Sequence, residues 1–374
     1  MTQGLKDVSN STLASGRLTI DLNALSDNWT KLNDLAGKAE CGASVKANAY
    51  GIGIKHAIPT LDKAGCKNYF VATPQEATDI RQISEKSNIY VLNGLMPGCA
   101  DAYIQNNLRP VLNSLEEAQE WAKFGNGSQC ALHVDTGMNR LGLREEEAKG
   151  LAQNTDIVRS LNLSLLMTHL ACGDTPTSLM NGCQLSSFQD IAALFPNVPR
   201  SLCNSAGIFH GEGFHMELVR PGIALYGGAA LTKHVANNPL KPVVTAEARI
   251  LVVRDVKEHE SVGYGASEVV AKDTRIAIVS AGYADGLVRK AGSTTKQKGG
   301  EVFVHGQQVP LVGRVSMDMI AIDVTDVPNA KRGDYVELFG PNNSISKLAG
   351  SADTIDYEFL TGLGARYERR YIEA

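Results

Sequence analysis

Polar side chains that could take part in catalysis follow several short apolar runs of the sequence. Lys46 follows Ala43-Ser44-Val45, and His169 follows Leu165-Leu166-Met167-Thr168. The other residues in such positions are Asp135, Arg140, Asn204, Ser205 and Arg220. In a barrel of parallel strands the reactive groups collect at the carboxyl ends of the strands, so these residues indicate one shared site.

Small residues surround Lys46 in the segment Val45-Lys46-Ala47-Asn48-Ala49-Tyr50-Gly51. Small neighbours allow a bulky cofactor to approach the backbone, and desolvation lowers the pKa of an amine so that it can form a Schiff base. The turns Asn204-Ser205-Ala206-Gly207 and Pro221-Gly222-Ile223 offer backbone N–H groups that can hold a phosphate.

Each of these residues also has a simpler structural interpretation. The small-residue turns fit ordinary loops, and His169 fits an interior histidine that is satisfied by a hydrogen bond. Arg220 fits a surface cation, and Asp135 and Arg140 fit an ion pair with each other. The order of all these segments along the chain decides between the interpretations below.

Alternating apolar and amphipathic stretches between residues 17 and 228 predict repeated strand–helix units. The helix-like segment 114–124 has a capping-box spacing, since Ser114 stands three residues before Glu117. About eight such units predict an N-terminal (β/α)₈ TIM-type barrel. The alternative is an open doubly wound sheet, but the glycine-rich phosphate fingerprint of that fold is absent from the sequence. The strand-like runs are 18–20, 43–45, 69–71, 89–92, 110–112, 132–134, 163–167 and 200–202.

After residue 228 the pattern changes to alternating strands separated by turn signals such as Gly299-Gly300 and His305-Gly306. The strand-like runs there are 245–253, 275–279, 301–304 and 319–324. This pattern predicts a C-terminal, mainly antiparallel β domain. We therefore predict a flexible tail at residues 1–13, a barrel domain at 14–238 and a β domain at 239–374.

Composition narrows the class of protein further. A formal net charge of −4 gives no support for a nucleic-acid partner, and no apolar run is long enough to span a membrane. The first dozen residues lack the apolar stretch of a signal peptide. Seven cysteines without a C-x-x-C pair are typical of reduced thiols rather than of a zinc site. The sequence predicts a cytoplasmic enzyme that uses no metal.

Taken in order, the motifs resemble the alanine racemase family from about residue 17 to residue 370. Residues 45–51 are similar to its cofactor-lysine motif, residues 134–142 to its Asp-Thr-Gly-Met segment, and residues 218–227 to its most characteristic stretch. The segments around Tyr264, Tyr283, Met317-Asp318 and Tyr357 complete the set. Any one motif is modest evidence, whereas six in the family's order are specific.

The resemblance implies a pyridoxal 5′-phosphate enzyme that interconverts L- and D-alanine and supplies D-alanine for peptidoglycan. Lys46 would carry the cofactor and serve as one base. Tyr264, from the neighbouring subunit of a homodimer, would be the base on the opposite face. Two bases are the simplest way to remove the Cα proton from one side and return it on the other.

The resemblance also implies binding roles. Arg220 would face the pyridine nitrogen of the cofactor, and a guanidinium that keeps its proton would disfavour decarboxylation and transamination. The cofactor-binding residues would be Lys46, Tyr50, His169, Asn204, Ser205, Arg220, Gly222, Ile223 and Tyr357. The residues that bind the substrate or shape its entrance would be Arg140, Met317, Tyr283 and Asp318.

Two positions depart from the family pattern. Many members carry a carbamylated lysine in place of His133, where it steadies the substrate-binding arginine, and many carry a cysteine in place of Ser316. Because histidine does not form that carbamate, we predict that Arg140 is held by a bound anion such as chloride, or by a side chain such as Asn139. The simpler alternative is that Asp135 fixes Arg140.

Other functions share parts of this pattern. A pyridoxal-phosphate amino-acid decarboxylase would place a carboxylate at the ring nitrogen, and Arg220 argues against it. A non-catalytic cofactor-binding barrel would end after the barrel, whereas this chain continues for a second domain. Within the racemases, the preferred substrate could be serine or a basic amino acid.

Overall fold

The computed structural model describes residues 13–373. The chain divides into two compact units, one of residues 25–234 and one that combines residues up to 24 with residues from 235 onward. The predicted tail at residues 1–13 lies outside the described residues, apart from Leu13. No helix within residues 13–373 is long and apolar enough to cross a membrane.

The β-strands are numbered in chain order. They are β1 (Gly16–Asp21), β2 (Glu40–Cys41), β3 (Ala43–Ser44), β4 (Asn68–Val71), β5 (Asn88–Val91), β6 (Arg109–Leu112), β7 (Cys130–His133), β8 (Leu163–Met167), β9 (Arg200–Ser201), β10 (Leu218–Val219), β11 (Val244–Val256), β12 (Ser261–Val262), β13 (Glu268–Val269), β14 (Thr274–Val279), β15 (Glu301–Val304), β16 (Gln307–Val312), β17 (Ile320–Asp323), β18 (Tyr335–Phe339) and β19 (Glu368–Ile372).

The α-helices are numbered in the same way, and a separate helical turn at Lys46–Tyr50 follows β3. The helices are α1 (Leu22–Ala36), α2 (Ile54–Ala64), α3 (Pro74–Arg81), α4 (Ala100–Gln105), α5 (Leu115–Phe124), α6 (Glu145–Gln153), α7 (Thr155–Leu161), α8 (Leu179–Ala192), α9 (Glu212–His215), α10 (Ile345–Ser351) and α11 (Asp356–Thr361). Short 3₁₀ helices include Ile223–Tyr226, Tyr264–Ala266 and Tyr283–Asp285.

The unit of residues 25–234 is the predicted barrel of parallel strands. Strands β3 to β9 pair in sequence order, and β10 pairs in parallel with β2. Further backbone bonds close the ring: Ser44 N–H donates to Pro221 O, and Arg220 N–H donates to Cys203 O. Apolar side chains from successive strands fill the interior: Phe70, Tyr90, Val111, Ala131, Leu165, Met167 and Leu218. These inward-facing side chains form the packed core of the barrel. The residues that follow them toward the carboxyl end of each strand therefore lie at the mouth of the barrel.

Helix starts in this unit follow from local sequence. Ser114 Oγ accepts from Glu117 N–H at 3.2 Å and begins α5, as its spacing predicts. Thr73 and Glu76 form a full capping box at the start of α3, with Pro74 in the first turn. Satisfied N–H groups at the first turn fix where each helix leaves its strand.

The other unit is built on an eight-stranded sheet in the order β14-β17-β16-β15-β18-β11-β1-β19, and an additional β11–β14 pairing closes it. The predicted antiparallel β domain is thereby confirmed, and the predicted turn at His305-Gly306 lies between β15 and β16.

One strand assignment was wrong. Residues 18–20 were predicted as the first barrel strand, but β1 pairs with β11 and β19 in the β domain. Burial alternates residue by residue along β1, whereas all four residues of β4 are buried. Alternation is typical of a strand with one solvated face, and strands of a parallel barrel are buried on both. Arg17 and Thr19 carry this signal in the sequence.

Candidate active site

Lys46 lies at the mouth of the barrel, two residues after β3, and its side chain is partly buried. Burial and the charge of Arg140 lower the pKa of the Lys46 amine, and the carboxylate of Glu76 acts in the opposite direction. A lysine with a lowered pKa holds more of its amine in the neutral, nucleophilic form near neutral pH. Lys46 is therefore suited to attack a carbonyl carbon.

Arg220 is a buried cation whose partners within residues 13–373 include no carboxylate. Its guanidinium donates to Ser201 Oγ, to Thr168 O at 2.7 Å and to His169 Nδ1 at 3.4 Å. Because arginine only donates, His169 Nδ1 accepts, and the proton of that ring lies on Nε2. Burial lowers the pKa of Arg220 to about 10, which leaves it charged at neutral pH. Burial and the charge of Arg220 hold the pKa of His169 well below its usual value.

A compact polar cradle lies where the loops after β9 and β10 meet. Ser205 Oγ accepts from Gly222 N–H at 2.7 Å and from Ala224 N–H at 3.2 Å. A Cβ added at Gly222 would collide with the Tyr50 hydroxyl, so the backbone here comes as close to Tyr50 as a glycine allows. Burial raises the pKa of Tyr50 to about 12, which keeps this hydroxyl as a donor.

The donors of this cradle fit a phosphate. They are neutral backbone N–H groups and hydroxyls at the start of the 3₁₀ helix Ile223–Tyr226, a donor set that favours an anion, although Ser205 Oγ occupies the Gly222 and Ala224 N–H groups here. Asn204 shapes the neighbouring loop, since its Oδ1 accepts from Ala206 N–H and Gly207 N–H at 3.1 and 3.0 Å. Lys46, the cradle and Arg220 thus match the amine-reactive carbon, the phosphate and the ring nitrogen of a pyridoxal phosphate.

Asp135 does not fix Arg140, so that alternative is wrong. Asp135 Oδ1 accepts from the N–H groups of Gly137 at 2.9 Å, Met138 at 2.8 Å and Asn139 at 3.1 Å. The Asp135 carboxylate therefore accepts hydrogen bonds from the turn that directly follows it. The exposed Arg140 side chain makes no hydrogen bond or ion pair within residues 13–373, although its charge acts on Lys46, His133 and His169.

His133 is buried and bonded to Asn113 through Nδ1, at 2.8 Å from Asn113 Oδ1. Asn113 Nδ2 donates to Leu92 O and Val111 O, so Oδ1 is the atom left to accept. This network assigns the proton of His133 to Nδ1 and leaves Nε2 with a lone pair. Burial lowers the pKa of His133 to about 4, so the ring is neutral at physiological pH.

The predicted residues of the β domain form a second group, described by itself. Tyr283 N–H donates to Ser316 O, and Ala284 N–H donates to Met317 O, each at 3.0 Å. Arg366 bonds both Asp285 and Asp318. Tyr283, Met317 and Asp318 are thus brought together on adjoining loops. Tyr264, in its own 3₁₀ turn, is 71% exposed, and Tyr357 lies on α11.

Several residues at the barrel mouth were missed from the sequence. Glu76 accepts from Ala47 N–H, directly after Lys46. Gln184, which is fully buried, donates to His169 O and Thr136 Oγ1 and accepts from Ala171 N–H. The spacing from Thr73 to Glu76 is a capping signal that would have identified Glu76. Gln184 has no such signal, because it stands within a helix far along the chain from its partners.

Comparison with known proteins identifies the family of the chain. The model of the alanine racemase N-terminal domain matches residues 20–230, and that of the alanine racemase C-terminal domain matches residues 243–371. The chain belongs to the alanine racemase family. The two matches together span both units of the chain, so the family relationship covers the β domain as well as the barrel.

Individual members of the family are similar over nearly the whole length. An alanine racemase of Rhizobium meliloti (strain 1021) is 47% identical over 370 residues, which are 96% of this chain and 97% of that protein. The crystal structure of alanine racemase from Bartonella henselae with covalently bound pyridoxal phosphate has a TM-score of 0.90 at 38% identity, over 96% of this chain and 100% of that one. Biosynthetic alanine racemase from Pseudomonas aeruginosa has a TM-score of 0.90 at 33% identity, with the same coverage.

Proposed function

We propose that this chain interconverts L- and D-alanine, with pyridoxal 5′-phosphate bound to Lys46 as a Schiff base. The observation that carries the proposal is the presence, in one barrel mouth, of a lysine with a lowered pKa and a buried arginine whose partners include no acid. The related Bartonella henselae structure, described as holding covalently bound pyridoxal phosphate, supports the choice of cofactor.

Besides Lys46, eight residues would hold the cofactor, in the roles that the family resemblance implies. Ser205, Gly222, Ile223, Tyr50, Asn204 and Tyr357 would surround the phosphate, and His169 would pack on the ring. Arg220 would donate to the ring nitrogen without giving up its proton, which keeps that nitrogen neutral. When bound, the cofactor supplies an electron sink for the pair left at Cα.

Two groups of the chain would move the Cα proton. Lys46 Nζ would take or return it on one face, and the hydroxyl of Tyr264 would do so on the other. Tyr264 is suited to act in a second subunit, because its side chain is mostly exposed and its hydroxyl bonds to no described residue. We therefore propose a homodimer with shared sites, in which each barrel receives Tyr264 from its partner.

Arg140 would receive the substrate carboxylate, because its guanidinium is exposed and makes no bond within the described residues. Met317 would contribute to the same subsite, and Tyr283 and Asp318 would shape its entrance. Misplacement of such groups by about 1 Å can cost roughly a hundredfold in rate, so their loops must be rigid. The product D-alanine fits a cytoplasmic supply of peptidoglycan precursors.

A racemase that prefers another small amino acid, such as serine, is the second candidate. The decarboxylase alternative is disfavoured, because the partners of Arg220 are Ser201, Thr168 and His169 and none is an acid. A panel of L-amino acids assayed for D-product, together with carbon dioxide release from lysine, ornithine and diaminopimelate, separates these activities.

The direct test is to reduce the yellow holoenzyme with borohydride and map the modified peptide. We expect the cofactor on Lys46, and we expect Lys46→Ala to lose the visible absorbance band and the racemisation of alanine together. Lys55→Ala, which removes an exposed lysine of the same segment, is the control. Attachment to Lys55 or Lys63 would overturn the proposal.

A further inference from the structure

The backbone that carries Lys46 has an unusual conformation. Ala47, Asn48, Ala49 and Tyr50 have φ angles of 51°, 54°, 54° and 51°, so four residues in a row are left-handed and none is glycine. A left-handed conformation is unfavourable for a non-glycine residue, because its Cβ crowds the following carbonyl oxygen. Such a turn persists only where its surroundings hold it in place.

One carboxylate ties this turn to the next loop of the barrel. Glu76 Oε1 accepts from Ala47 N–H at 2.6 Å, and Oε2 accepts from Ala72 N–H at 2.8 Å and from Thr73 N–H at 3.3 Å. In an ordinary capping box the glutamate serves only its own helix start. Here Oε1 of Glu76 also accepts from the N–H group of Ala47, the residue after Lys46.

A second glutamate shows the same arrangement without a lysine. Glu117 Oε2 accepts from Asn113 N–H at 3.0 Å and reaches across to Leu95 N–H at 3.2 Å, while Ser114 caps its helix. The loop that Glu117 holds contains Gly94, which takes its positive φ without a Cβ penalty, and no predicted site residue. Both glutamates thus join two neighbouring loops of the barrel, and the loop that Glu76 holds is the one that follows Lys46.

We propose that Glu76 is a positioning residue for Lys46, which it acts on by fixing the left-handed turn through Ala47 N–H. The proposal rests on the proposed function, since it gives that site a further residue. The charge of Glu76 has a separate effect. The other groups near the Lys46 amine are Arg140 and the neutral His169. Burial and Arg140 lower the pKa of this amine, and the carboxylate of Glu76 opposes that lowering.

The test uses the full-length protein freed of cofactor, so that it does not depend on activity. The amine of Lys46 is trace-labelled with acetic anhydride across pH, and hydrogen exchange is measured for residues 46–51. Glu76→Gln should lower the half-labelling pH of Lys46 by about half a unit or more and speed exchange of the turn roughly tenfold. Glu117→Gln, which removes the matched carboxylate, should change neither.

Glu76→Asp is the second variant, in case Glu76→Gln does not fold. It keeps the charge but is one methylene too short to join both loops, so exchange of residues 46–51 should rise while the labelling pH of Lys46 stays near that of the unsubstituted protein. If both Glu76 variants match Glu117→Gln in labelling and exchange, Glu76 only caps its helix and the proposal fails. Failure of the unsubstituted protein to bind pyridoxal phosphate would instead defeat the proposed function and leave these readouts valid.

Discussion

At the scale of single residues, the barrel mouth combines basic side chains with histidines kept neutral. Lys46, Arg140 and Arg220 bring positive charge to one site. Burial and this positive charge lower the pKa of His133 and His169, so that both rings stay neutral. Neutral histidines can still accept hydrogen bonds. The site is therefore attractive to anions such as a phosphate and a carboxylate, and its geometry is sensitive to acid.

The pKa of His133 predicts how stability depends on pH. The folded pKa is about 4 and the unfolded value about 6.5, so between these pH values the unfolded chain binds a proton that the folded chain does not. The free energy of unfolding should fall as pH drops from 6.5 to 4, with a contribution of up to about 1.4 kcal/mol per pH unit from this residue.

Chemical denaturation of His133→Gln across this range checks the expectation, since glutamine can still donate to Asn113 Oδ1. The fall in unfolding free energy should be shallower than in the unsubstituted protein. His259→Gln, which removes an exposed histidine, is the control. Parallel pH curves for His133→Gln and the unsubstituted protein would show that His133 takes up its proton over the same pH range in the folded and unfolded states.

The same ring bears on how Arg140 is held. His133 Nε2 carries a lone pair, so it can accept from a guanidinium but offers no N–H to chloride. We now expect the KM for alanine to change less than about twofold when chloride is replaced by gluconate, and His133→Leu to raise it up to roughly tenfold. A KM that rises when chloride is withdrawn would favour the bound anion predicted from the sequence.

At the scale of elements, the left-handed turn of residues 47–50 changes how glycine affects stability. An alanine-to-glycine substitution usually lowers the free energy of unfolding, but we do not expect this at a positive φ. Ala47 is exposed and has positive φ, so Ala47→Gly should be neutral or raise the free energy of unfolding by up to about 1 kcal/mol. Ala193 is exposed in a right-handed conformation, so Ala193→Gly should lower it by about 0.5–1 kcal/mol. Equal losses in thermal unfolding of both variants would argue that the turn relaxes.

The strands and capped helices were predictable because their signals are local. Residues 163–167 and 301–304 have the bounds of β8 and β15, and Ser114 begins its helix as predicted. The left-handed turn was not predictable, since Ala-Asn-Ala-Tyr has no intrinsic preference for it and distant Glu76 holds it. β16 and β18 were missed for a similar reason, because their partners rather than their own patterns place them in the sheet.

At the scale of the whole molecule, the proposed sharing of sites predicts complementation. Lys46→Ala and Tyr264→Phe homodimers should each be inactive, but a heterodimer would contain one site with both groups intact. If equal amounts exchange subunits at random, about a quarter of all sites recover. Racemase activity after mixing checks this, with exchange shown by mass spectrometry. Full exchange without recovery would mean that Lys46 and Tyr264 act from the same chain.

The sequence could place candidate site residues at strand ends, because barrel topology converts position along a strand into position in space. It could not say which partners hold them. Arg220 has no acidic partner among the described residues, and Asp135 bonds only its own turn. Both facts depend on side-chain directions that spacing does not encode. The roles of the β-domain residues stay predictions.

The place of β1 in the β domain sets an order of events during synthesis. Arg17 lies opposite Glu368 in β19, so within residues 13–373 the first strand made pairs with the last. A ribosome that adds roughly 5–20 residues per second needs about 20–70 seconds to supply that partner. The barrel of residues 25–234 can close before then, whereas β1 must wait with an open edge. A chain interrupted shortly before Glu368 would carry a finished barrel and an unpaired β1 edge, which is a surface that chaperones and proteases recognise.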